Sequence, residues 1–77
     1  MEEILIYNVG CDDETITIMN VSEKELDVLI EFGKLNNKNS KYQCQPSIAI
    51  YKGFEAVTDE DGDFCYYKTG RDLLKED

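Results

Sequence analysis

The sequence predicts an α+β fold in the order ββαβββ: a mainly antiparallel sheet with one helix packed on one face. Three observations carry that expectation. Short β-branched runs recur at strand length, as in Ile4-Leu5-Ile6-Tyr7 and Ile48-Ala49-Ile50-Tyr51. One segment, Glu23 to about Leu35, has apolar residues at helical spacing. Acidic, glycine-bearing breaks separate the strands near residues 10–14 and 59–63. With 77 residues, the chain reads as one domain over 1–77, near the lower limit for a self-sufficient core.

Residues 2–9 form an apolar run that suits a strand buried on both faces. Gly10 breaks it and opens an acidic turn. In residues 15–21, Ile16 and Ile18 alternate with Thr15 and Thr17, the pattern of a half-buried strand that pairs antiparallel with the first. Ser22 then begins a capping box: its hydroxyl can serve the Glu25 amide while the Glu25 carboxylate returns to the Ser22 amide. Val21 and Leu26 make the matching hydrophobic staple. Glu23, Glu25 and Asp27 sit where the helix dipole favours negative charge, so folding explains them. Leu26, Leu29, Ile30 and Gly33 share one helical stripe, which Val28, Phe32 and Leu35 are expected to widen.

A polar loop over residues 36–41 leads to Pro46, which suits a position just before a strand. Ser47 to Lys52 alternates, and Lys52-Gly53 reads as a break. Residues 54–58 and 64–69 then flank Asp61-Gly62, a two-residue type I′ hairpin signal. That register pairs Val57 with Tyr66 and Glu55 with Lys68. Gly70 is expected to end the last strand, with a helical turn from Arg71 onward.

Seventeen acids against eight bases give a net charge of −9. This balance disfavours direct binding of nucleic acid, which needs cations facing phosphates, and docking on anionic membranes. It favours attraction to a basic surface. The charge is uneven: from Lys34 to Phe54 there are four lysines and no acid. No apolar run approaches the roughly 18 residues of a membrane span, and the start has no basic leader, so the chain reads as cytoplasmic. Domains this small are often completed by a second copy, which makes a homodimer an open expectation.

Catalytic and metal motifs fail on inspection. The chain has no histidine, which removes the usual general base and a usual zinc ligand. Cys11, Cys44 and Cys65 have no paired spacing and read as small apolar fillers. Aligning Gly62 with the sixth position of an EF-type calcium loop puts Val57 at the first position and Lys68 at the twelfth, so both ends fail. Neither a metal nor another cofactor is expected, and the chain does not read as an enzyme.

Two acidic clumps are left without a folding explanation: Asp12, Asp13 and Glu14, and Asp59, Glu60, Asp61 and Asp63. Both fall at expected hairpin tips. Tyr66 and Tyr67 must face opposite sides of a strand, so one of them is expected on the open sheet face, beside Tyr51. These acids and the two tyrosines are the candidate contacts for a basic protein partner. Global imitation of DNA is weak. Seventeen acids on about 4,800 Å² of expected surface are far sparser than the phosphates of a duplex. A second candidate site, for an anionic nucleotide-like ligand, is Lys34, Lys38, Lys41 and Tyr42.

In size, acidity and lack of histidine the chain resembles small bacteriophage-encoded inhibitors, including anti-CRISPR and other anti-defence proteins. That resemblance implies a non-catalytic protein that masks a basic surface, such as one of a nucleic-acid-binding protein. It carries over no individual residue.

Overall fold

A computed structural model describes residues 1–10, 14–38 and 47–75. The elements are β1 (Glu2–Val9), β2 (Glu14–Val21), α1 (Glu23–Lys38), β3 (Ser47–Thr58) and β4 (Phe64–Asp72). The strands form one antiparallel sheet in the order β2-β1-β3-β4. The fold is therefore α+β with one helix against the sheet, as the sequence predicts, but in the order ββαββ.

The expected third and fourth strands after the polar loop are one element, β3. Gly53 does not end the strand. It takes φ +82°, a value open to glycine without steric cost, and the pairing with β4 resumes in the same register on either side. Lys52 partners Arg71, and Phe54 partners Thr69. Likewise Gly70 does not end β4, which continues to Asp72. The expected C-terminal helical turn is instead a tight turn that begins at Leu73. The Leu73 amide donates to the Ile50 carbonyl at 2.8 Å, and its side chain enters the core.

That core lies between α1 and one face of the sheet. Ile4, Val21, Ile50, Leu26 and Leu73 are buried there, with Ile6, Leu29, Ile30, Ile48 and Leu74 packed around them. Each fully buried aliphatic side chain contributes roughly 1.5–3 kcal/mol. Val21 and Leu26 flank the helix start, so the hydrophobic staple is also part of the core. Gly33 is buried because Leu74 packs on it. A β-carbon there would meet a Leu74 methyl at 2.8 Å.

Both ends of α1 are fastened by side chains. At the start, the Ser22 amide donates to Glu25 Oε1 at 2.9 Å and the Glu25 amide to Ser22 Oγ at 3.2 Å. At the far end, Asn37 reaches across to β3. Its Nδ2 donates to the Ile48 carbonyl at 2.8 Å, and the Ile48 amide donates to its Oδ1 at 2.9 Å. The helix therefore runs three residues past the expected Leu35 and takes in part of the segment read as loop. The expected widening of its apolar face does not occur. Val28, Phe32 and Leu35 are 65, 56 and 57% exposed, because the sheet meets the helix along the Leu26–Leu29–Ile30–Gly33 stripe.

Candidate functional site

The face of the sheet away from α1 is not bare. Leu5 points to that side, since its neighbours Ile4 and Ile6 belong to the helix-side core, yet it is only 1% exposed. Side chains alternate along a strand, so β1 is buried on both faces, as its continuous apolar run predicts. Cover comes from the far half of the β3–β4 hairpin. Gly53 and Gly70 stand opposite each other in the register, and the backbones approach closely there.

Between this hairpin and the sheet lies a concavity of about 320 Å³. Leu5, Tyr7 and Tyr51 come to it from β1 and β3, and Glu14 and Ile16 from β2. Phe64, Tyr66 and Tyr67 come from β4. The aromatic wall is ordered by ring contacts. Tyr67 meets Phe54 edge-on at 5.9 Å between centroids and Phe64 in a tilted arrangement at 4.7 Å. Such geometries place the positive edge of one ring against the negative face of another. Tyr66, across from Val57, is more exposed than Tyr67.

Glu14 is the only acidic residue among the described residues that line the concavity, which include no lysine or arginine. The Tyr7 hydroxyl donates a hydrogen bond to the Glu14 side chain. That bond, with desolvation and the Glu14 charge, raises the Tyr7 phenol above its ordinary value of 10.0. Lys68 lies in a neighbouring groove with Phe54 and Glu55 and pairs across the hairpin with Glu55, as expected.

The second acidic clump closes the hairpin differently from the expected type I′ turn. Among the described residues only glycines have positive φ, with Gly62 at +87° and Asp61 on the ordinary side. The Gly62 amide donates to the Asp59 carbonyl at 3.1 Å, and the Asp59 amide to the Asp63 carbonyl at 2.9 Å. This is a three-residue loop ending in a left-handed glycine, the usual partner of a type I turn and a bulge. A register shift between Val57 and Thr58 absorbs the extra residue, so the expected Val57–Tyr66 and Glu55–Lys68 pairs survive. Asp59 has a folding role after all: its Oδ1 accepts from the Asp61 and Asp63 amides, both at 2.9 Å. Glu60, Asp61 and Asp63 remain exposed.

The register sends the two acid-bearing turns to opposite ends of the sheet, because Glu14 pairs with Val9, which pairs with Ser47 at the start of β3. Yet Phe64, just past the second turn, and Glu14, just past the first, wall the same concavity. Of the candidate partner contacts, the structure brings together Glu14, Tyr66 and Tyr67. Asp12 and Asp13 lie outside the described residues. So do Lys41 and Tyr42 of the second candidate site, and Cys11 and Cys44. Lys34 and Lys38 are exposed on the helix, and Cys65 is an exposed thiol in β4. Among the described residues no group of three His, Cys, Asp or Glu side chains could hold a metal ion, and no helix is long and apolar enough to cross a membrane.

Sequence reasoning missed Tyr7 and Phe64. For Tyr7 the signal was present: if β1 is apolar on both faces, the Leu5–Tyr7 side needs a cover. Phe64 joins the wall only through the bend of the hairpin, which no local pattern announces. The chain matches no family model, no curated protein and no solved structure.

Proposed function

We propose that this chain is a non-catalytic binding module that engages a basic surface of a partner protein through the open face of its sheet. The observation that carries this reading is the concavity between the sheet and the bent hairpin. It is walled by aromatic rings, contains Glu14 and no basic side chain among its described residues, and belongs to a chain of net charge −9. Aromatic side chains provide contact area at low entropic cost. Acidic surroundings speed encounter with a basic partner and disfavour neutral and acidic ones. Glu60, Asp61 and Asp63, exposed on the hairpin tip, add to that field. Binding would mask the partner's basic surface by bulk and by charge, in the manner of a cytoplasmic inhibitor of a nucleic-acid-binding protein.

Density of charge also supports a local surface over a broad imitation of DNA. Seventeen acids on 5856 Å² of accessible surface stand one per about 340 Å², while a duplex carries a charge per ~1.7 Å of its axis. The test is affinity capture from the native host with the wild type and with a Glu60→Lys, Asp61→Lys, Asp63→Lys variant, each at low and high salt. The expected result is a basic protein retained by the wild type at low salt, and lost both at high salt and in the variant. Identical capture by the two proteins at both salt concentrations overturns the reading.

A further inference from the structure

We infer that the open-face concavity receives an arginine side chain presented by the partner, with its guanidinium stacked on tyrosine rings and hydrogen-bonded to Glu14. This inference rests on the binding function proposed above and names the chemistry of its central contact. The lining residues that matter are Tyr7, Tyr51, Phe64 and the neighbouring Tyr66 and Tyr67, only one of whose rings can face inward because neighbours on a strand turn to opposite sides, with Glu14 as the anion. Aromatic faces are negative at their centres and attract cations, tyrosine among them. A wall of rings with one carboxylate and no cation of its own is thus complementary to a single positive group.

Three features favour arginine over other cations. A volume of about 320 Å³ lies at the small end for ligand sites and suits one long side chain. The guanidinium is planar and weakly hydrated, so it stacks on rings at less desolvation cost than the compact lysine ammonium. Glu14 also keeps acceptor capacity. A carboxylate offers about four lone-pair sites, and the Tyr7 hydroxyl takes one of them, which leaves room for the paired N–H groups of an arginine fork. A quaternary ammonium could stack on the rings but has no N–H to offer Glu14.

The floor and rim divide the work. Leu5, 1% exposed, closes the floor with an apolar side chain. Tyr66, over half exposed at the rim, is placed to cover the alkyl stem of an entering side chain.

The experiment follows the tyrosine ring signals by NMR while the intact chain is titrated with a capped Gly-Arg-Gly peptide. The comparison ligands are the same peptide with citrulline, the same peptide with lysine, and free L-arginine. The arginine peptide is expected to shift the Tyr7, Tyr51 and Tyr67 signals saturably, at least tenfold more tightly than the citrulline peptide, which has the same shape without charge. Glu14→Gln and Tyr66→Ala, both at exposed positions that should leave the fold intact, are each expected to weaken it fivefold or more. Equal binding of arginine and citrulline peptides overturns the inference, as does a response confined to the hairpin tip. Equal or tighter binding of the lysine peptide overturns the choice of cation. Free arginine binding as tightly as the peptide overturns the partner-borne ligand. If the host partner is captured and lost in the tip variant while the arginine peptide leaves the ring signals unmoved, this inference fails and the masking function stands.

Discussion

Gly70 lies so close to the backbone of Gly53 that a β-carbon on it would stand 2.5 Å from the Gly53 carbonyl oxygen and 2.8 Å from that of Lys52. Both obstacles are main chain, so neither can swing away. Across the ladder, Gly53 has the positive φ but open space around its missing side chain. The two glycines therefore fail differently. Gly70→Ala should cost about 1–3 kcal/mol through forced backbone movement. Gly53→Ala should cost about 1–2 kcal/mol from the left-handed conformation alone. Urea unfolding measures both. The Gly70 variant should also weaken the NMR contacts between Tyr67 and the sheet, because it strains the bend that covers Leu5. A Gly70→Ala protein as stable as the wild type would remove the close approach as the reason for this pair.

The Tyr7–Glu14 contact makes a spectroscopic prediction. A hydrogen bond to the Glu14 side chain holds the proton on Tyr7 and raises its ionisation above 10.0. Its contribution to stability is complete below the unfolded-state value and is lost as pH rises through the raised folded value, on the alkaline side of 10. Ultraviolet titration of the phenols should resolve one late-ionising tyrosine in the wild type. Glu14→Ala should return that tyrosine toward the ordinary value. An unchanged titration curve in the variant would assign the late phenol elsewhere.

At the helix start the reciprocal bonds between Ser22 and Glu25 predict two effects. Ser22→Ala should destabilise the protein by about 1 kcal/mol, the usual cost of losing a cap. The Glu25 carboxyl is held below its ordinary 4.5, chiefly by the backbone hydrogen bond from Ser22. A depressed folded value adds stability above the unfolded value, and that stability is lost as pH falls through the folded value, on the acid side of 4.5. Glutamine can fill the same place in a capping box. Glu25→Gln should therefore match the wild type near pH 7 and lose less stability on acidification. Parallel pH–stability curves for the two proteins would contradict this linkage.

How much of this was legible in the sequence depends on the range of the interaction. The cap and the staple involve residues within five positions of each other, and both appear as expected. β2 forms as a strand, but all of its residues except Val21 are exposed, so the expected half-buried alternation does not appear. The register of the hairpin is as expected although its turn is a three-residue loop, because a bulge compensates for the extra residue. What could not be read was non-local. Gly53 and Gly70 each looked like strand ends, since a glycine that stops a strand and one that bends it have the same local signature. Asn37 sat in a polar run with no periodicity, and only its meeting with Ile48 eleven residues on gives it a role. The concavity follows from the bend, so its membership was legible only in part: Glu14, Tyr66 and Tyr67, with Tyr51 expected nearby.

The acids of the hairpin tip should separate by role. Asp59 holds two backbone amides through one oxygen, so Asp59→Ala should cost about 1 kcal/mol, the net worth of a hydrogen bond or two at an exposed site. Glu60→Gln should leave stability within about 0.5 kcal/mol, as surface changes outside such features do. Both variants remove one negative charge from the tip, so both should bind more weakly at low salt, and only Asp59→Ala should also lose stability. At low salt Glu60→Gln weakens encounter by removing a charge from the rim, and a slower association rate with an unchanged dissociation rate is its kinetic mark. Equal stability losses in both variants would show that the Asp59 bonds do not hold the turn.

The outward face of α1 allows a test that separates folding from association. Val28, Phe32 and Leu35 lie on the helix side away from Leu26 and Gly33, and each is more than half exposed. If the monomer's core is confined to the Leu26 stripe, Leu26→Ala should cost about 2–5 kcal/mol. That is most or all of what a domain of this size has, because a single core of this scale rarely supplies more than about 3–5 kcal/mol. Replacing Val28, Phe32 and Leu35 together with serine should then cost far less, since little of their surface is withdrawn from water. Denaturation at several protein concentrations distinguishes the alternative. A monomer with an exposed stripe shows the same midpoint at every concentration, and the triple variant shifts it little. A chain that self-associates through this stripe shows a midpoint that rises with concentration, and the triple variant abolishes the rise.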